Sequence, residues 1–312
     1  TGGTGSLGKH LTRWLLDNTA LRRVVIYSRD ELKQYEMRLL FGDDPRLRFF
    51  IGDVRDIERL KRAFSGVDYV IHAAAMKQVP AAEYNPFECI KTNVLGAQNV
   101  ISAAIDAGVD RVAALSTDKA CNPINLYGAT KLCSDKLFVA GNAYSGGRGT
   151  RFSVVRYGNV SGSRGSVVPF FKNLDPSLPV PITDPRMTRF WITLDQAVQF
   201  VMDSLTLMSG GELYVPKIPS MRVTDLAEAL CPGRPTEVIG IRPGEKLHEA
   251  MITEDDARHT RDLGSRYVIL PEFSWYDADE ASGSPVPKEF RYTSEVNEDW
   301  LSVEDLRALA NG

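Results

Sequence analysis

The chain has 312 residues, with 37 Lys plus Arg against 40 Asp plus Glu and a formal net charge of −3. With 43% hydrophobic and 25% charged residues, it has the composition of a folded globular protein, which excludes extensive disorder. The near-neutral balance argues against a dedicated nucleic-acid binder, and no apolar run reaches the roughly 18 residues of a membrane span.

The first residues, Thr1-Gly2-Gly3-Thr4-Gly5-Ser6-Leu7-Gly8, place glycines at 2, 5 and 8 and run straight into Leu11, Leu15 and Leu16 at helical spacing. Such a run suits a plain flexible turn. It equally suits a phosphate-binding turn, where glycine lets the backbone approach a diphosphate and the next helix points its N-terminal N–H groups at the anion. A turn of the second kind follows a β-strand, so a hydrophobic strand is expected ahead of Thr1, outside this sequence.

Strands and helices then alternate. Strands are expected at 23–28, 47–51, 68–72, 111–115 and 152–156, and helices at 30–40, 56–64, 87–107 and 126–140. The 87–107 helix carries Ile90, Val94, Ala97, Ile101 and Ile105 on one face. This rhythm predicts right-handed β-α-β units and an α/β fold with a doubly wound parallel sheet of the Rossmann type, its first strand missing from the sequence, with ligands beyond the carboxyl ends of the strands. After Tyr157 prolines cluster at 176, 179, 181 and 185 and again from 216 to 243; one long helix is expected at 194–208 and a surface loop at 271–287. The expected division is a dinucleotide-binding domain at 1–157, onto which segments such as 190–208 pack back, and a smaller α/β substrate lobe at 158–312.

Two positions bear on the dinucleotide. Ser28 and Arg29 stand at the strand end where NAD-preferring sites usually place a carboxylate, with Lys33 one turn on. A guanidinium suits a 2′-phosphate, so NADP is favoured; otherwise Arg29 is a solvated charge and Asp30 serves the ribose. Asp53 and Val54 suit the adenine edge, or Asp53 simply caps the next helix.

Ser116-Thr117-Asp118-Lys119 ends the 111–115 strand, and Tyr127 and Lys131 follow at i and i+4, on one helical face. An ammonium beside the phenol would draw it down from its ordinary value near ~10, making Tyr127 a general base, with Thr117 bonding the same substrate oxygen. Asp118 and Lys119 are either a solvated pair or an acid and an amine facing substrate. The second role requires Asp118 raised and Lys119 lowered by their surroundings, against their mutual attraction. The four cysteines (Cys89, Cys121, Cys133, Cys231) and four histidines are scattered, so no metal site or disulfide framework is expected, and a reducing cytoplasm fits.

The sequence closely resembles the inverting UDP-N-acetylglucosamine 4,6-dehydratases of the extended short-chain dehydrogenase/reductases. The likeness rests on GDVRD at 52–56, AAAMKQVP at 73–80, KTN at 91–93, STDKA at 116–120 and NPINLYGATK at 122–131. It continues through 156–171, PITDPRMTRFWIT at 181–193 and IRPGEKLHE at 241–249. Met76 and Gln78 stand where the family pattern suggests Leu and His. The resemblance implies NADP as a recycled cofactor, UDP-N-acetylglucosamine as substrate, a homo-oligomer, and the first step toward pseudaminic acid for flagellin glycosylation. It assigns cofactor contacts to Gly2, Thr4, Gly5, Ser6, Leu7, Gly8, Ala73, Ala74, Ala75, Lys77 and Asn93, besides Ser28, Arg29, Lys33, Asp53, Val54, Tyr127 and Lys131. Substrate contacts fall to Lys77, Asp118, Lys119, Asn159, Arg164, Val167, Val168, Thr183, Met187, Arg189, Arg242 and Glu245. For Lys77 a surface lysine, and for Arg189 a structural ion pair, are the plainer readings. Retaining relatives usually carry Glu where Lys119 stands, which points to inversion at C5. A UDP-hexose 4-epimerase, a retaining dehydratase and a non-catalytic nucleotide sensor are the competing readings.

Overall fold

The computed structural model describes residues 1–146, 149–162, 167–276 and 281–311. The glycine turn feeds helix α1 (Ser6–Asn18), followed by β1 (Val24–Ser28), α2 (Glu31–Phe41), β2 (Leu47–Ile51), α3 (Ile57–Phe64) and β3 (Tyr69–His72). Asp30 and Asp56 sit just before α2 and α3 and cap them, accepting the backbone N–H of Lys33 and Arg59 at 3.0 Å each. The expected single helix at 87–107 is broken into α4 (Pro86–Ile90), a π-helical turn at Lys91–Leu95 and α5 (Gly96–Ala107). The break has a tertiary cause: within that turn, buried Asn93 accepts from Met76 N at 2.8 Å and donates to Met76 O at 2.9 Å and Thr130 Oγ1 at 3.0 Å.

Next come β4 (Arg111–Leu115), α6 (Leu126–Ser145) and β5 (Arg151–Val155). Strands β3, β4 and β5 pair in parallel, and β6 (Leu213–Pro216) continues them. Antiparallel strands at Arg266–Ile269, Thr260–Asp262 and Ser284–Pro285 then extend the sheet to seven, so the chain after 157 supplies its far edge. On the other side β1 and β2 form a parallel pair. Thr1 and Gly2 lie between that pair and β3: Gly2 N donates to Tyr27 O at 2.9 Å, and Thr1 N to Ile71 O at 2.8 Å. Helices α3, α5 and α6 cover one face; α1 and the helix Leu194–Leu207 cover the other, the latter reaching β4 and β5. Both faces of the sheet are thus buried, which is why its strands read as apolar runs rather than alternating ones.

A second buried cluster, comprising Val168, Phe171, Val180, Ile182, Trp191, Met221, Leu226 and Leu306 among others, is drawn from the chain after 157. Of the described residues, no helix is long and apolar enough to cross a membrane.

Candidate active site

The glycine turn is a built cradle. A side chain at Gly2 (φ +69°) would meet Ala74 N at 2.7 Å, and one at Gly8 would meet the Gly3 carbonyl oxygen at 2.3 Å. Gly5 is the N-cap of α1 with no side-chain cap, and the first turn carries no acidic residue. Backbone donors and the positive helix end are therefore left for an anion, and these residues fit a dinucleotide diphosphate. Ser28 is buried and its hydroxyl accepts from Gln34 Nε2 at 3.0 Å. Asp30 is engaged as cap and in a 2.7 Å pair with Lys33, whereas Arg29 is 62% exposed and only 3.7 Å from Asp53 Oδ2. Asp53 does not cap α3, a task that falls to Asp56; its carboxylate is held by Arg55 at 2.7 Å. Asn93 is drawn into the protein, fastening the 73–77 loop through Met76; Lys77 lies exposed on that loop.

At the carboxyl end of β4, Thr117 opens a 3₁₀ turn (Asp118–Ala120) and accepts Lys119 N at 3.3 Å. Asn125 caps α6 through Gly128 N at 2.7 Å and donates to Gly244 O at 2.7 Å, so the helix start is tied to the 241–249 segment. Thr117 Oγ1 donates to Asp118 Oδ1 at 2.9 Å, and Lys119 Nζ stands 3.1 Å from the same oxygen. Asp118 is 1% exposed, and its Oδ2 has no partner among the described residues. Burial raises the Asp118 pKa; the Lys119 charge opposes this and Glu249 adds to it.

The electrostatics depart from the sequence expectation at two residues. Burial pushes the Tyr127 phenol up to about 12, with Lys119 and a Thr117 hydrogen bond pulling down. Lys131 is engaged elsewhere: its Nζ donates to Leu115 O at 2.7 Å, and burial lowers its own pKa. Lys119 moves opposite to the expected direction. Burial disfavours its charge, but the Asp118 and Glu249 carboxylates outweigh that, and the ammonium is stabilised.

Glu249 escapes a local reading. It closes the IRPGEKLHE segment, yet nothing in its neighbourhood along the chain indicates that Oε1 stands 3.1 Å from Lys119 Nζ. Arg189 is turned toward it at 3.9 Å, with the guanidinium donating to the carbonyls of Thr188, Leu247 and Lys246. This is the structural ion pair, and it leaves Arg189 no free fork for a diphosphate. Val168 packs in the second core, with Val167 against it, and Met187 is buried. Asn159 pairs with Trp191 near the end of β5, and Thr183 is half-buried beyond the short strand Val180–Ile182. Exposed Arg242 lies 3.8 Å from Glu245. Arg164 falls outside the described residues.

A glycine cradle and a tyrosine–lysine pair one helical turn apart, both served by a parallel sheet, are the arrangement of an extended short-chain dehydrogenase/reductase. Residues 1–271 match the family described as polysaccharide biosynthesis protein, and the chain belongs to that family. A Campylobacter jejuni protein named UDP-N-acetylglucosamine 4,6-dehydratase (inverting) is 56% identical over 321 residues, covering 100% of this chain and 96% of that protein. The solved structure of Pen from Bacillus thuringiensis superposes with a TM-score of 0.89 at 36% identity, over 99% of this chain and 95% of that one. DesIV of Streptomyces venezuelae, a dTDP-glucose 4,6-dehydratase solved with NAD and TYD bound, gives 0.71 at 27% identity, over 79% and 85% of the respective chains.

Proposed function

We propose that the chain is a UDP-N-acetylglucosamine 4,6-dehydratase that inverts C5 and yields UDP-2-acetamido-2,6-dideoxy-β-L-arabino-hexos-4-ulose. The observation that carries this reading is the Asp118–Lys119 couple, bonded at 3.1 Å beside Tyr127 beyond the carboxyl end of β4. The full-length likeness to the Campylobacter jejuni enzyme supports it. An epimerase leaves the C6 hydroxyl in place and needs no such acid.

A bound nicotinamide cofactor supplies a hydride acceptor at sugar C4 and later a hydride donor to C6. We favour NADP, because Asp30 is engaged by Lys33 and its cap while Arg29 remains exposed at the strand end. Gly2, Thr4, Gly5, Ser6, Leu7 and Gly8 would hold the diphosphate, and Lys131 and Tyr127 the nicotinamide ribose.

Tyr127 would take the C4 hydroxyl proton, with Thr117 orienting the oxygen. Its phenol keeps a proton at neutral pH in the free protein, so the reaction needs positive charge beside it, and Lys119 is one source. The C4 ketone then acidifies C5–H. Moving one proton from Lys119 Nζ to Asp118 Oδ1 across their contact leaves a neutral amine and a neutral acid with no change in net charge. The amine removes the C5 proton, and the C5–H electron pair passes into the C4–C5 enolate; as the C6–O bond breaks that pair closes C5=C6, and Asp118 protonates the departing hydroxyl to water. Once hydride has returned to C6 and regenerated the enolate, protonation of C5 on the opposite face would invert it.

The same resemblance supports a cytoplasmic homo-oligomer at the entry to pseudaminic acid synthesis for flagellin glycosylation. It also supports division into a cofactor domain at 1–157 and a sugar-nucleotide lobe at 158–312. Incubation with UDP-N-acetylglucosamine in deuterium oxide, followed by NMR of the product, tests the reaction. A 4-keto-6-deoxy sugar with deuterium at inverted C5 is expected; an intact C6 hydroxyl would overturn the reading.

A further inference from the structure

Glu249 is 2% exposed and lies immediately before the strand Ala250–Ile252, between two anchors. Its N–H donates to Ser294 Oγ at 2.9 Å and its carbonyl accepts Ser294 N at 2.8 Å, while Ser294 Oγ meets Thr188 Oγ1 at 2.7 Å. The carboxylate faces three cations from three separate segments: Lys119 Nζ at 3.1 Å and Arg189 Nε at 3.9 Å on Oε1, and Lys246 Nζ at 3.6 Å on Oε2. Lys246 is itself fixed, donating to Cys121 O at 2.6 Å. A buried carboxylate held by two scaffold-bound cations, Arg189 and Lys246, is a rigid anchor for Lys119.

We infer that Glu249 is a positioning residue for C5 chemistry, aiming Lys119 Nζ and setting by its charge the pH at which Lys119 becomes a free amine. This inference rests on the dehydratase reading. The groups facing Lys119 are Asp118, Glu249, Arg189 and the Tyr127 phenol. Of these, Asp118 becomes neutral when it takes from Lys119 the proton with which it expels the C6 hydroxyl. Glu249 is the remaining anion. Without it Lys119 is left beside Arg189, with Lys246 close by, and an unopposed cation there favours the amine.

The test compares wild type, Glu249→Gln and Glu249→Asp, following deuterium entry at C5 and kcat across pH with UDP-N-acetylglucosamine. In Glu249→Gln the ascending limb is expected to move to lower pH by about one unit or more. Its optimal kcat is expected to fall by about 100-fold from lost aim, with KM little changed. Glu249→Asp, which keeps the charge, should lie between the two. A folded Glu249→Gln enzyme whose limb coincides with wild type overturns the inference, and so does Glu249→Asp behaving as Glu249→Gln. If Glu249→Gln does not fold, a Glu249→Asp enzyme with wild-type kcat, although its shortened carboxylate no longer reaches Lys119 Nζ at 3.1 Å, overturns it. A wild-type protein that never dehydrates the sugar overturns the dehydratase reading instead.

Discussion

Gly128 lies against the backbone carbonyl of Lys119: a Cβ at Gly128 would stand 2.1 Å from that oxygen and 3.0 Å from its carbon. The first turn of α6 therefore presses on the 3₁₀ turn, and this contact sets where Tyr127 stands relative to Asp118 and Lys119. Gly128→Ala gains about 1 kcal/mol of helix propensity but drives a methyl into backbone that has no rotamer to yield, and overpacking of that kind costs about 1–3 kcal/mol. A lower melting temperature and a kcat/KM reduced by about 100-fold are expected, read by calorimetry and steady-state kinetics. Unchanged activity would show that α6 can shift without moving the phenol.

Tyr127→Phe removes the proton acceptor and leaves the shape of the buried site. Hydride transfer from C4 is expected to fall below detection, while UDP-sugar affinity, measured by calorimetric titration, stays near wild type. Normal turnover would remove Tyr127 from the chemistry.

Lys119→Glu exchanges the amine for the residue usual in retaining relatives. It also places a third carboxylate beside Asp118 and Glu249, within the 3.1 Å contacts that Lys119 now makes. Loss or redirection of C5 inversion is expected, read from product stereochemistry by NMR. A product with unchanged configuration would exclude Lys119 as the deciding base.

Arg29→Ala tests cofactor choice. Removing a charge-assisted contact worth about 1.5–3 kcal/mol should weaken NADP binding by roughly 10- to 100-fold and leave NAD binding little altered. Equal affinity of mutant and wild type for NADP would place the 2′-phosphate elsewhere.

Arg189→Ala removes a donor from the carbonyls of Thr188, Leu247 and Lys246, of which Leu247 O keeps Thr188 N, and leaves Glu249 less compensated. Removing one partner of a buried pair costs about 3–5 kcal/mol, so denaturant unfolding should show a loss of that order with UDP present or absent. A selective loss of UDP affinity at full stability would restore Arg189 as a substrate ligand.

The sequence by itself determined the alternation of strands and helices, the glycine turn and the Tyr127–Lys131 spacing. Each of these is written in neighbours along the chain, through burial period, turn chemistry and side-chain reach. Local pattern did not extend to the π turn within 87–107, because Asn93 is drawn inward by Met76 and Thr130 from elsewhere in the fold. Nor did it extend to electrostatics. Only the tertiary structure carries Glu249 to Lys119, aligns Lys131 on the Leu115 carbonyl, and turns Arg189 into the scaffold. A side chain's charge state and free donors depend on which distant groups share its low-dielectric surroundings, and those groups come together only when the chain has folded.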